Sequence, residues 1–189
     1  MRIVLASASP RRRELIKTID ENTICISADV DETVPENIEN ESAPEFLACK
    51  KALAVAKEYE NDLVIGCDTT VFVDSLPLTK PRDRKEAYYM LSLLSGRKHK
   101  VITGCCLCKN GKTMSFSVES NVYFFPLSDS QINDYLNTNE YCDKAGAYGI
   151  QGKGSLLVEK IEGDYFNIVG LPVSMLNRRI KEFLNENNC

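Results

Sequence analysis

Residues 7–14 read "SASPRRRE", directly after the apolar run "IVLA" of Ile3–Ala6. Ser9 followed by Pro10 has the pattern of an N-cap with proline in the first helical position. Arg11, Arg12 and Arg13 then fill the first turn, where the helix dipole favours negative charge and each cation costs about 0.3–1 kcal/mol. Two readings account for them. An external anion, phosphate being the usual guest, completes a helix N-terminus whose backbone N–H groups already face it. Alternatively, the turn is solvated and packing elsewhere covers the small cost.

Asp68 interrupts the apolar run "LVIGCDTTVFV", and a buried, unpaired carboxylate is expensive. It needs a metal, a cation or a catalytic duty, unless it reaches solvent at a strand end or pairs with a lysine. "DVDETVPEN" offers Asp29, Asp31 and Glu32 as second carboxylates, although acidic loops are usually solvated. Lys80 in "LTKPRD" stands before a proline that fixes an extended turn, where lysine serves as a point charge for phosphate or simply faces water. Lys50 and Lys51 lie mid-helix, and periodicity does not choose between them. "AGAYGIQGKG" carries Gly146, Gly149, Gly152 and Gly154. These permit close backbone approach to a ligand but do not match the dinucleotide-binding spacing. Taken together, the set suits phosphoryl chemistry on a polyphosphate. Cations and N–H groups hold phosphates, a divalent metal neutralises charge, and a carboxylate activates water. Acyl transfer and cysteine chemistry lack a visible nucleophile–base pair, since the sole histidine, His99, lies in no recognisable motif and reads as structural.

The elements that must position these residues alternate between helix and strand. "RIVLA" (Arg2–Ala6) and "TICISADV" (Thr23–Val30) read as strands, with a helix from Pro10 between them. Ser42 and Glu45 form a capping-box pair ahead of a helix ending near Glu60. Leu63–Val73 reads as a strand buried on both faces. Asp83 and Glu86 open a helix to Ser95, and "HKVITGCCLCKNGKTMSFSVESNVYFF" reads as a hairpin turning at Asn110–Gly111. Ser128 and Gln131 cap a short helix, Ser155–Gly163 reads as a strand, and a last helix runs from Pro172 to Asn185. This order predicts an α/β architecture with a mixed sheet and no independent linker.

The 189 residues suit one domain, 1–189, built as two small lobes. A formal net charge of −4 argues against a general nucleic-acid binder and makes the arginine cluster local. No run approaches the ~20 apolar residues of a membrane span and no secretory h-region follows Arg2, so a cytoplasmic protein with no membrane association is expected. The eight cysteines show no C-x-x-C spacing and read as free, mostly buried thiols, with Cys106 and Cys108 on one strand face and Cys105 on the other.

"LASASPRRREL", "GCDTTV", "KPRD", "LSGRKHKVITG", "DKAGAYGIQG" and "GDYFNIVGLP" occur in this order between Leu5 and Pro172. In these motifs the chain resembles the Maf family of nucleoside triphosphate pyrophosphatases. The resemblance implies an α/β, mixed-sheet, two-lobed fold with a central cleft, similar to that of the inosine triphosphate pyrophosphatases. It also implies dependence on a divalent metal (Mg²⁺ or Mn²⁺), a cytoplasmic location and a homodimer. Ser7, Arg11 and Arg12 match the family's phosphate-binding start, whereas Arg13 falls at a variable position. Asp68 matches the proton acceptor, Lys51 and Lys80 the lysines for the phosphates, and Glu32 an acidic residue that, with Asp68, is a candidate metal ligand. Arg12, Thr69 and Gln151 match positions associated with choosing pyrimidine triphosphates, and "AGAYGIQG" is the form of the branch that hydrolyses dTTP and UTP. Thr79 and Cys67 depart from the common glycine and alanine. The rival reading is a regulatory protein of cell division that senses a nucleotide without turnover.

Overall fold

A computed structural model describes residues 1–186. Ile3–Ala6 form strand β1, buried throughout, and Pro10–Ile16 form helix α1, whose N-cap Ser9 accepts the Arg12 N–H at 3.5 Å. Strand β2 (Ile24–Ile26) is shorter than the expected Thr23–Val30. A 3₁₀ turn at Asn40–Ser42 runs directly into helix α2 (Ala43–Ala56). The capping box expected at Ser42 and Glu45 is absent for that reason. Ser42 already has helical dihedrals (φ −88°, ψ −12°) and its side chain caps nothing. Glu45 instead accepts the hydroxyls of Ser115 and Ser117 at 2.6 Å each. α2 also ends before Glu60, because Glu58 and Tyr59 bond three residues back, to Val55 and Ala56, and tighten the last turn.

Strand β3 occupies Leu63–Val73, as the apolar run predicts. Asp74 and Ser75, both at positive φ, turn the chain into a short strand, β4 (Leu76–Leu78), that the sequence reading missed. Helix α3 (Arg84–Leu94) is capped by the Asp83 carboxylate, which accepts the Glu86 N–H at 2.8 Å. β5 (Lys98–Lys109) and β6 (Lys112–Phe124) form the expected hairpin, and helix α4 (Asp129–Leu136) opens with a complete Ser128–Gln131 capping box. The strand expected from Ser155 begins later. Gly152–Leu157 wind as a 3₁₀ helix, with the Ser155 hydroxyl donating to the Gly152 carbonyl at 2.7 Å, and only Val158–Glu162 form β7. α5 (Tyr165–Val169), also missed, and α6 (Val173–Glu186) complete the chain.

The strands form one seven-stranded mixed sheet in the order β2-β1-β3-β5-β6-β7, with β4 on β3. β1 is parallel to β2 and β3, while β3–β4 and β6–β7 are antiparallel. The chain divides into two compact units, the first made of Met1–Asp68, Thr103–Val118 and the residues from Gly170 onward, the second of Thr69–Ile102 and Glu119–Val169.

In the first unit, alternation along the strands builds two cores. Leu5, Ile65, Cys67, Cys105 and Leu107 pack with Leu176, Ile180 and Phe183 of α6. Val4, Val64, Cys106 and Cys108 pack with Ala48, Ala52 and Val55 of α2. The cysteines thus fall on the two faces as their spacing predicts, and the seven among the described residues are free thiols; Cys189 lies outside those residues. At Gly66 helix and strand nearly touch. A Cβ there would stand 2.1 Å from the Ala48 carbonyl oxygen and 2.7 Å from the Ala52 nitrogen.

The second unit buries Phe72, Leu91, Leu94, Phe124, Ile132 and Leu136. His99, 2% exposed, shares a 2.7 Å hydrogen bond between its Nε2 and the Tyr148 hydroxyl, and both rings pack edge-on with Phe124. Burial pushes the His99 imidazole down to about 4, so the ring is neutral at physiological pH. Among the described residues no helix is long and apolar enough to cross a membrane.

Candidate functional site

The first unit gathers its polar residues where parallel strands end. β1 and β3 pair with Ala6 beside Gly66, and β1 and β2 with Ala6 beside Ile26. The chain therefore leaves β1 at Ser7, and β2 just before the acidic segment, at one level of the sheet. Carboxyl ends of parallel strands are where α/β sheets place their ligands. β3 continues past this level, so Cys67 and Asp68 stand beside the departing loops.

Helix α2 supplies the centre of the group. Its close approach at Gly66 brings the Lys51 ammonium to 2.6 Å from Asp68 Oδ1 and 2.7 Å from Glu32 Oε1. The Lys51 side chain is 11% exposed and that of Asp68 14%, so the ion pair lies in a largely dehydrated setting, while Glu32, at 59%, reaches it from solvent. Asp68 is thus neither a strand-end carboxylate in water nor an unpaired buried one. Lys50, which periodicity did not separate from Lys51, stands over the Phe46 ring. Within the acidic segment, Asp31 Oδ1 is taken up locally by the Thr33 N–H (2.9 Å) and hydroxyl (2.6 Å), the hydroxyl bond chiefly holding its carboxyl below the ordinary range.

The arginines separate. Arg12 is half-buried and anchored to backbone, its Nε donating to the Gly170 carbonyl at 2.7 Å and its Nη1 to the Cys67 carbonyl at 2.8 Å. Arg11 is half-buried on α1. Arg13 is exposed, with a 3.4 Å contact from Nε to the Ser7 carbonyl. Ser7 is buried, and its hydroxyl oxygen accepts the Ser9 N–H at 3.2 Å. Behind Asp68, the Cys67 and Cys105 sulfurs lie 3.7 Å apart in the core.

The remaining expected residues belong to the second unit. Thr69 follows Asp68 on β3. Lys80 is exposed beyond β4, next to Thr79, whose carbonyl accepts the Gly146 N–H at 3.2 Å. Gln151 is exposed at the head of the 3₁₀ helix Gly152–Leu157. The second unit thus ties the Lys80 turn to the start of the glycine-rich segment. Among the described residues, no group of three or more His, Cys, Asp or Glu is placed to hold a metal ion by itself. Sequence reasoning missed Tyr135 and Glu140, which bond the backbone of this glycine-rich segment. Nothing in their local sequence marks them, because their partners are main-chain N–H groups on another element.

The model of the family described as Maf-like protein matches residues 2–183. A dTTP/UTP pyrophosphatase of Clostridioides difficile (strain 630) is 48% identical over 190 residues, covering 99% of this chain and 97% of its own. A dTTP/UTP pyrophosphatase of Carboxydothermus hydrogenoformans is 47% identical over 185 residues, 97% of this chain and 99% of its own. Among solved structures, a HAM1 protein from Coxiella burnetii superposes with a TM-score of 0.53 over 96% of this chain and 99% of that one, at 14% identity. That likeness concerns the fold, and it agrees with the α/β mixed-sheet class that the sequence predicts.

Proposed function

The chain belongs to the Maf-like protein family, and from that premise we propose that it is a nucleoside triphosphate pyrophosphatase. It hydrolyses dTTP and UTP to the nucleoside monophosphate and pyrophosphate. The observation that carries the reading is the Lys51 ammonium held between Asp68 and Glu32, in a chain matched over nearly its full length by relatives bearing that name.

In this reading Asp68 is the general base. Its Oδ1 is engaged by Lys51, which leaves Oδ2 to take a proton from water. The water oxygen bonds to the α-phosphorus as the bond to the bridging oxygen of the departing pyrophosphate breaks. Ser7, Arg11 and Arg12 serve the phosphates from the first unit, and Lys51 and Lys80 offset the charge that gathers on the leaving group. Thr69, Arg12 and Gln151 select the pyrimidine.

The divalent metal implied by the family, Mg²⁺ or Mn²⁺, fits the donors present. Glu32 and Asp68 would hold it through hard carboxylate oxygens of the kind that already draw one cation, the Lys51 ammonium, between them, and Mg²⁺ typically takes one or two carboxylates with substrate phosphates and water. When bound, the ion supplies charge neutralisation on the phosphates. The same reading has a cytoplasmic homodimer acting on free nucleotides.

The test is a panel of nucleoside triphosphates incubated with pure protein and Mg²⁺ or Mn²⁺, with and without EDTA, with pyrophosphate resolved from orthophosphate. Pyrophosphate formed fastest from dTTP and UTP, and abolished by EDTA, is the expected result. Orthophosphate as first product refutes attack at the α-phosphorus, and binding without turnover favours the regulatory sensor. Light scattering of the same sample reads the oligomeric state.

A further inference from the structure

Within the second unit, the segment bearing Gln151 is fastened on both sides of that residue. Before it, the Gly149 N–H donates to the Tyr135 hydroxyl oxygen at 3.2 Å. After it, the Lys153 N–H donates to both oxygens of Glu140, at 3.2 and 3.0 Å. Gly152 is what allows Glu140 so close: a Cβ there would lie 2.8 Å from Glu140 Oε2, and the residue stands at φ +62°. Further back, the His99–Tyr148 hydrogen bond and the bond from Gly146 N–H to the Thr79 carbonyl hold the start of the segment.

We infer that Tyr135 and Glu140 are positioning residues for base selection: they fix, from either side, the backbone from which Gln151 presents its amide to a pyrimidine. The inference rests on the reading of Gln151 as the residue that contacts the base. Its physical ground is that Gln151 is exposed on a segment of no regular strand or α-helix, so its own contacts hold it loosely. A selective amide must offer its donor and its acceptor in one orientation, and a site of that kind needs a fixed support. Tyr135 is buried, and burial pushes its phenol up to about 12. The hydroxyl is therefore neutral across the working range, with its oxygen free to accept. Glu140 makes the charge-assisted equivalent on the other side.

The experiment measures kcat and KM for dTTP and dATP in Tyr135→Phe, Glu140→Ala, Glu140→Gln and Gln151→Ala, and in each tether variant combined with Gln151→Ala. Tyr135→Phe and Glu140→Ala are each expected to lower the dTTP:dATP ratio of kcat/KM by about 3- to 10-fold, the usual worth of one hydrogen bond. The loss should fall in KM for dTTP, with kcat changed less than about two-fold, since the tethers serve binding rather than the chemical step. Glu140→Gln, whose amide oxygen still accepts the Lys153 N–H, should recover most of the ratio. On the Gln151→Ala background neither tether variant should change the ratio further, because both act through Gln151. A ratio altered by Gln151→Ala but untouched by Tyr135→Phe and Glu140→Ala overturns this inference alone. So do tether effects of equal size on both backgrounds. A ratio unchanged by Gln151→Ala overturns the base-contact reading and this inference with it.

Discussion

The guanidinium of Arg12 donates from Nη1 to the carbonyl of Cys67, the peptide immediately before Asp68, while its Nε holds the carbonyl of Gly170. Arg12 therefore braces the segment that carries the proposed base, in addition to any duty toward a substrate. Lysine cannot reproduce this fork. Arg12→Lys is expected to destabilise the protein by about 1–3 kcal/mol, the range for losing a charge-assisted hydrogen bond, and to lower turnover. Arg13, exposed beside it, should matter little. The sequence puts it in the first turn, but in the seven-residue α1 it stands in the last turn, where the dipole does not oppose a cation. Arg13→Ala should therefore leave kcat/KM nearly unchanged and shift stability by no more than about 0.5 kcal/mol. Urea unfolding midpoints and dTTP kinetics check both, and equal damage from the two substitutions would contradict the division.

Asp68→Asn keeps the shape and removes the proton acceptor. Turnover of dTTP is expected to fall by about 10²–10⁴, the usual worth of a general base, with KM little changed. Single-turnover rates measured beside equilibrium binding of the nucleotide separate the two effects. A variant with near-normal turnover would remove Asp68 from the chemistry.

Burial lowers His99 from the ordinary 6.5 to about 4. The unfolded chain takes up this proton near pH 6.5 and the folded chain only near pH 4. Stability from keeping the ring neutral is thus complete above the higher value and is lost as pH falls through the window. Between pH 7 and pH 5 the loss amounts to about 2 kcal/mol. His99→Gln lacks this linkage, so its unfolding free energy should fall less over that interval than the parent's. Parallel slopes for the two proteins would show that His99 is not the group responsible.

Legibility followed how local the physics was. The β3 run, the Asp83 and Ser128 caps and the Asn110–Gly111 turn depend on neighbours a few residues away, and each stands where the sequence puts it. Ser42 failed because the competing partners of Glu45, Ser115 and Ser117, come from a strand seventy residues further on. β4 and α5 are short and carry little periodicity to read. At the site, the cost of an unpaired carboxylate was enough to mark Asp68 and to ask for a cation. The choice of Lys51 over Lys50 required the register of α2 on the sheet, which local sequence does not encode. The resemblance supplied that choice, and the 2.6 Å contact gives its physical reason.

That register depends on Gly66. With its α-carbon against the Ala48 carbonyl and the Ala52 nitrogen, it lets α2 settle on β3, with Lys51 one position before Ala52 on the helix. A methyl group added there would meet backbone atoms at 2.1 and 2.7 Å, and helix backbone cannot yield as a flexible side chain can. Gly66→Ala must push α2 outward, separating the Lys51 ammonium from Asp68. The expected cost is about 1–3 kcal/mol or more of stability, as for overpacking of a tight core. Turnover should fall beyond what the unfolded fraction explains, because the ion pair beside the proposed base is stretched. Dividing the dTTP rate by the folded fraction from circular dichroism, at a temperature well below the variant's midpoint, isolates that second effect. A corrected rate equal to the parent's would show that the helix register does not matter to the chemistry.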